Sequence, residues 1–158
     1  MMSGRVDHVN LVVGDLDAMI AFYTEVLGMR VTKQATIHGD WVDRVVGLQG
    51  IHAEVVYLEL EADTWVELIH YKSPPGTAAD NLAVPNTIGI RHLAFRVKDM
   101  QASVAALRRA GVALVGTVAP VPTCQVTYAL DVRIRLVFLL YPEGNLLEVL
   151  FDEVPSWH

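Results

Sequence analysis

The chain carries one stretch twice. Val6-Asp7-His8-Val9-Asn10-Leu11-Val12-Val13-Gly14-Asp15 returns as Ile90-Arg91-His92-Leu93-Ala94-Phe95-Arg96-Val97-Lys98-Asp99. With His8 set on His92, Val13 falls on Val97, Asp15 on Asp99 and Ala18 on Ala102 without a gap. A second echo follows, Trp65-Val66-Glu67-Leu68-Ile69 against Leu146-Leu147-Glu148-Val149-Leu150. Each half therefore has a histidine near its start and a glutamate near its end. Such a repeat restricts the chain to folds built from two like modules, and it supplies the donor types of a shared metal site.

Alternation over residues 6–13 predicts a strand with His8, Asn10 and Val12 on one face and Val9, Leu11 and Val13 on the other. Asp15 is placed to cap a helix, along which Leu16, Met19, Ile20, Tyr23, Val26 and Leu27 form one apolar stripe that Gly28 ends. A strand is expected over 29–35. For 36–48 two readings stand: a short amphipathic helix carrying Trp41, Val42, Val45 and Val46 over a pocket, or an ordinary covering loop. Strands over 53–60 and 64–71 are joined by Glu61-Ala62-Asp63. In the second of these, Trp65, Glu67 and Ile69 share a face, and Val66, Leu68 and His70 share the other. His70 therefore points away from Glu67.

Ser73-Pro74-Pro75-Gly76 breaks regular structure and opens a linker. The plan then repeats. A strand over 88–97 leads to a helix capped by Asp99, with Met100, Val104 and Leu107 inside and Gly111 at its end. Strands are expected over 112–118, 125–130, 133–141 and 146–151, with Pro142-Glu143-Gly144-Asn145 turning into the last. The fold class is α+β, a pseudo-repeat of strand, helix and three strands. One domain is expected over 5–152: module one at about 5–72, a linker at about 73–87 and module two at about 88–152.

Composition limits the partners. The 158 residues are 53% hydrophobic, with a mean hydropathy of +0.35, yet residues 136–141 are far too few to span a bilayer. The surplus apolar surface points to a second subunit, hence a homodimer. A net charge of −6 without a basic run gives nucleic acid little to hold. The single Cys124 forms no internal disulfide, and Met1-Met2-Ser3-Gly4-Arg5 lacks a signal's apolar core, so a cytoplasmic protein is expected.

These motifs together resemble the vicinal oxygen chelate superfamily of glyoxalase I, methylmalonyl-CoA epimerase, extradiol dioxygenases and the fosfomycin- and bleomycin-resistance proteins. The resemblance rests on the stretch from His8 to Asp15, Phe22-Tyr23 before Leu27-Gly28, Gly89-Ile90-Arg91-His92, and Tyr141-Pro142-Glu143-Gly144-Asn145 before Leu147-Glu148. It implies two βαβββ modules forming a curled mixed sheet around a metal site, with His8, Glu67, His92 and Glu148 at the ligand positions, either within one chain or with His8 and Glu67 of one subunit set against His92 and Glu148 of another. Two imidazoles and two carboxylates suit one divalent ion, be it Zn, Mn, Co, Ni or Fe. His38, His52 and His158 have no repeat partner and read as solvated or pocket-rim residues.

A metal with an open edge can take two adjacent oxygens of a small substrate and stabilise an enediolate while a neighbouring C–H loses its proton. That is lyase or isomerase chemistry, of glyoxalase or epimerase type. The resemblance to glyoxalase I implies a metal-bound glutamate as the base, Glu148 or Glu67. The epimerase resemblance adds Glu54 in Gly50-Ile51-His52-Ala53-Glu54, for which an exposed strand residue is the competing reading. Arg96 shares parity with His92 and is the best candidate to hold an anionic group, above Arg133 and Arg135; a salt bridge is the plainer role for each. Trp41 and Asn10 complete the expected substrate contacts, with Tyr57, Trp65, Tyr128 and Phe138 as pocket aromatics.

Two other functions compete. A ring-cleaving dioxygenase would use His8, His92 and Glu148 as a two-histidine, one-carboxylate iron site. Glu67 would then crowd a position its substrate needs. A non-catalytic antibiotic binder needs no metal ligands at all, so the intact set argues against it.

Overall fold

The computed structural model describes residues 4–60, 65–126 and 132–153. The chain divides into two compact units between Ala78 and Ala79. The first runs β1 (Val9–Val12), α1 (Leu16–Ala21), β2 (Arg30–His38), α2 (Asp40–Val46), β3 (His52–Glu59) and β4 (Trp65–Ser73). The second runs β5 (His92–Val97), α3 (Met100–Arg109), the short β6 (Ala113–Leu114) and β7 (Ala119–Pro120), β8 (Arg133–Leu140) and β9 (Leu146–Glu153). The class is α+β. Each unit forms its own mixed sheet, ordered β1-β4-β3-β2 in one and β5-β9-β8-β6 in the other, with β7 also on β8. β1 lies parallel to β4 and β5 parallel to β9, while the remaining pairs are antiparallel.

The two helices of the repeat start in the same way. The Asp15 carboxylate accepts the Ala18 N–H at 3.0 Å, and Asp99 accepts that of Ala102 at 2.9 Å. Gly28 and Gly111 follow the two helices with φ of 72° and 81°, a region open mainly to glycine. The first helix does not continue evenly to Leu27. It widens after Ala21 into a π turn over Phe22–Val26, where the Leu27 N–H reaches the Phe22 carbonyl at 3.3 Å. The Thr24 hydroxyl donates to the Ile20 carbonyl at 2.8 Å, and the turn buries Phe22 and Tyr23.

Alternation then builds each core. On β3 and β4, Val56, Leu58, Val66 and Leu68 are buried on one face, and α1 packs against β4. In the second unit Val137, Leu139, Leu147 and Val149 do the same on β8 and β9, against which α3 packs. The opposite face of the first sheet is apolar at one end. There Val42 of α2 joins Ile51, Ala53, Val55 and Ile69, flanked by Ile37, Tyr57 and Tyr71. The helical reading of 36–48 thus holds for Asp40–Val46, while 36–38 extends β2. Asp43 pins this helix to the next strand, its carboxylate accepting the N–H groups of Gly50 at 2.7 Å and Ile51 at 2.8 Å.

Other boundaries shift. β5 starts at His92 rather than residue 88, and the residues before it leave Ile88 and Ile90 exposed. The strand expected over 112–118 is two fragments. β6 pairs with Leu139 and Leu140 and β7 with Arg135 and Leu136, so four residues, 115–118, bulge out against two on β8. Gln125 closes a turn onto the Pro122 carbonyl at 3.0 Å instead of opening a strand. The rest of that expected strand, with Tyr128, lies outside the described residues, as do Glu61-Ala62-Asp63, Thr64 and His158.

Replacing the fully buried Leu147 by Ala should cost about 2–5 kcal/mol in urea unfolding. A loss below about 1 kcal/mol would contradict close packing of α3 on β9.

Candidate metal centre

In the first unit strand register assembles the site. The parallel pairing of β1 with β4 sets Asn10 opposite Glu67, β3 sets Tyr57 opposite Glu67 from the other side, and β2 sets Lys33 opposite Tyr57. One polar row therefore crosses all four strands, and His8 joins its face two residues before Asn10. The His8 Nε2 lies 3.4 Å from Glu67 Oε2, and the Asn10 amide donates to the same oxygen at 2.6 Å. The phenol of Tyr57, opposite Glu67 in register, has its pKa raised by that carboxylate. On the far side of the imidazole, His8 Nδ1 is 2.9 Å from Asp7 Oδ2. The Tyr57 ring meets the His8 ring edge-on at 5.9 Å, and Lys33 Nζ sits 5.2 Å from the Tyr57 centroid.

The second unit repeats the geometry with different neighbours. β5 sets Ala94, and β8 sets Phe138, opposite Glu148. His92 Nε2 lies 3.5 Å from Glu148 Oε2, and the His92 and Phe138 rings are 5.0 Å apart. Glu148, 9% exposed, is the one buried charged residue among those described. A carboxylate withdrawn from water needs a cation or donors to remain ionised, and here the polar side chain beside it is His92.

The donors fit a divalent ion. Nitrogen and oxygen ligands about 2.1 Å from one metal stand roughly 3.0–3.4 Å apart, depending on geometry, which brackets or nearly meets the 3.4 and 3.5 Å separations here. In both pairs it is Nε2 that faces the carboxylate, and for His8 the carboxylate on Nδ1 fixes the tautomer such a ligand needs. Within either unit, among the described residues, no third His, Cys, Asp or Glu joins the pair in an arrangement able to hold a metal.

The remaining candidates lie elsewhere or do other work. Glu54 pairs in register with His70, on the face opposite Glu67, and binds Lys72 at 2.9 Å. Its hydrogen bond to Lys72, helped by the charges of Lys72, His70 and His52 against some desolvation, holds its carboxyl below the ordinary range. Glu54 is thus left out of the site: being three residues from Tyr57 on an unbroken strand, it must face the other way. Arg96 is engaged by Asp152 at the far end of β5, so the salt-bridge reading describes it; Arg135 likewise reaches Glu153 at 3.5 Å. Trp41 is 53% exposed on α2. Asn10 is at the site, but its amide is bound to Glu67 rather than presented to a substrate. His38 and His52 face each other across β2 and β3, with ring centroids 6.0 Å apart. Sequence reasoning passed over Asp7 altogether and took Tyr57 only as a pocket wall. The signal for Tyr57 was its polar tip on the parity of Glu67.

Each unit is a βαβββ module that brings a histidine beside a glutamate between its first and last strands. The chain belongs to the Glyoxalase/Bleomycin resistance protein/Dioxygenase superfamily, which it matches over residues 5–149. It is 33% identical over 115 residues to a 2-epi-5-epi-valiolone epimerase from an Actinomyces species, a match covering 70% of this chain. The match spans only 62% of the epimerase's length. Among solved structures it is similar to a glyoxalase family protein from Bacillus cereus, with 29% identity, a TM-score of 0.82 and 96% of each chain covered. It shares its fold with the trypanothione-dependent glyoxalase I of Leishmania major, at 24% identity and a TM-score of 0.63, over 94% of this chain and 87% of that one.

The hydrogen bond to Glu67 and, after it, burial push the Tyr57 phenol up to about 12 from the ordinary 10.0. A phenol raised on folding contributes stability that is complete below the unfolded value and is lost as pH rises through the folded one. In metal-free protein that window runs from about 10 to about 12. Ultraviolet titration of wild type minus Tyr57→Phe should show one phenol ionising near the upper limit. Ionisation at the ordinary value would contradict the Glu67 contact.

Proposed function

We propose that the protein is a divalent-metal-dependent lyase or isomerase of glyoxalase or epimerase type, acting on a small molecule with two adjacent oxygens. The observation that carries the reading is the matched His–Glu pair in each module, with Nε2 and Oε2 separated by 3.4 and 3.5 Å. The pairs His8–Glu67 and His92–Glu148, brought together from one chain or from two subunits, would hold one ion of the Zn, Mn, Co, Ni or Fe group. When bound, such an ion polarises a carbonyl and steadies the negative charge that develops as the neighbouring C–H ionises.

The chain's own residues divide the remaining work. Asp7 orients His8, while Asn10 and Tyr57 hold Glu67. Glu148 stands beside Ala94 and Phe138 with His92 as its polar neighbour, and is the carboxylate we assign to accept the substrate proton. Returning the proton to the opposite face of the same carbon is epimerisation, and the similarity to an epimerase supports that branch. Glu67 favours proton transfer over oxygen chemistry, because a fourth protein ligand takes a position that catechol and oxygen would share. Exposed Val6, Ile88 and Ile90 support the homodimer. Among the described residues no helix is long and apolar enough to cross a membrane.

Metal analysis should find about one divalent ion per chain, and His8→Ala or His92→Ala should each remove most of it. Screened in heavy water against 2-hydroxyketones, hemithioacetals and 2-acyl thioesters, the loaded protein should incorporate deuterium into one class. Glu148→Gln should slow that exchange roughly 10²–10⁴-fold. Oxygen uptake with catechols, or substrate binding unaffected in the histidine variants, would overturn the reading.

A further inference from the structure

The two ligand pairs match in position and differ in what surrounds them. Around the first, every partner on the row is polar: Asn10 donates to Glu67 at 2.6 Å, Tyr57 stands opposite Glu67 on the other neighbouring strand, and Asp7 lies 2.9 Å from the outer nitrogen of His8. Around the second, the same register positions hold Ala94 and Phe138, and the residue before His92 is Arg91 rather than a carboxylate. Among the described residues, His92 is the only side chain bearing a polar contact to Glu148.

Tyr57 is the hub of the first set. It stands opposite Glu67 in register, its ring meets His8 at 5.9 Å, and Lys33 lies 5.2 Å from that ring. One side chain therefore lies beside both ligands of its module. We propose that Tyr57, with Asn10, is a positioning residue that locks the His8–Glu67 pair into ligand geometry before metal arrives. The two modules then contribute unequally, one through a braced pair and one through a pair free to adjust. This rests on the proposed metal site. Its physical basis is that outer hydrogen bonds orient ligands and spare the ion the cost of ordering them.

Cobalt(II) is the probe, added to the full-length metal-free chain and followed by its visible absorption. Tyr57→Phe keeps the ring against His8 and removes only the hydroxyl. It should weaken cobalt affinity roughly 10–100-fold and alter the visible band, because Glu67 is no longer held, while the metal-free Tm stays within a few degrees of wild type. Asn10→Ala, which removes the 2.6 Å bond, should shift affinity in the same direction and serves as the test if the tyrosine variant does not fold. Wild-type affinity and an unchanged band in both variants would overturn the positioning role while leaving the metal site standing. A wild-type chain that binds no cobalt would defeat the site itself.

Discussion

In each module the first strand lies parallel to the last, and the site depends on that contact. Parallel pairing of β1 with β4 and of β5 with β9 fixes which side chains share a face and at what height. It brings a histidine and a glutamate within 3.5 Å in both units. A slip of one residue would turn Glu67 to the side where Val66 and Leu68 are buried, so the core enforces the register that the site requires. Packing and chemistry are therefore specified by the same alternation.

Electrostatics then sets the two modules apart. Glu67 has polar side chains on both neighbouring strands, and the Asn10 amide donates to its Oε2. Glu148 is withdrawn from water to a similar extent and has an imidazole beside it, but apolar residues occupy its flanking register positions. A carboxylate in that setting gains more from a bound cation, and it is also freer to trade contacts with a substrate.

Much of this was legible in the amino-acid sequence because it depends on period and spacing. The two aspartate caps, the parity that separates Glu67 from His70, and the repeat itself are local patterns. What escaped was set by tertiary partners. Asp152 lies 56 residues from Arg96 and engages its guanidinium, which no periodicity announces. Glu54 entered through resemblance alone, and only the unbroken β3–β4 register from Ala53 onward shows that it faces away. The division of 112–118 into two fragments depends on a bulge against β8, and the π turn after Ala21 on a hydroxyl that competes for helix carbonyls. Tyr57 was visible as an aromatic but not as a donor, since its role needs three strands in register.

We propose that the His8–Glu67 pair and the His92–Glu148 pair meet on one ion, with the two modules supplied by one chain or by two subunits. Pulsed electron paramagnetic resonance on the manganese(II)-loaded protein, with nitrogen-15 in histidine, tests it most directly. The account predicts coupling to two imidazole nitrogens, one lost in His8→Ala and the other in His92→Ala. Coupling to a single nitrogen, or a signal unchanged by either substitution, would contradict it.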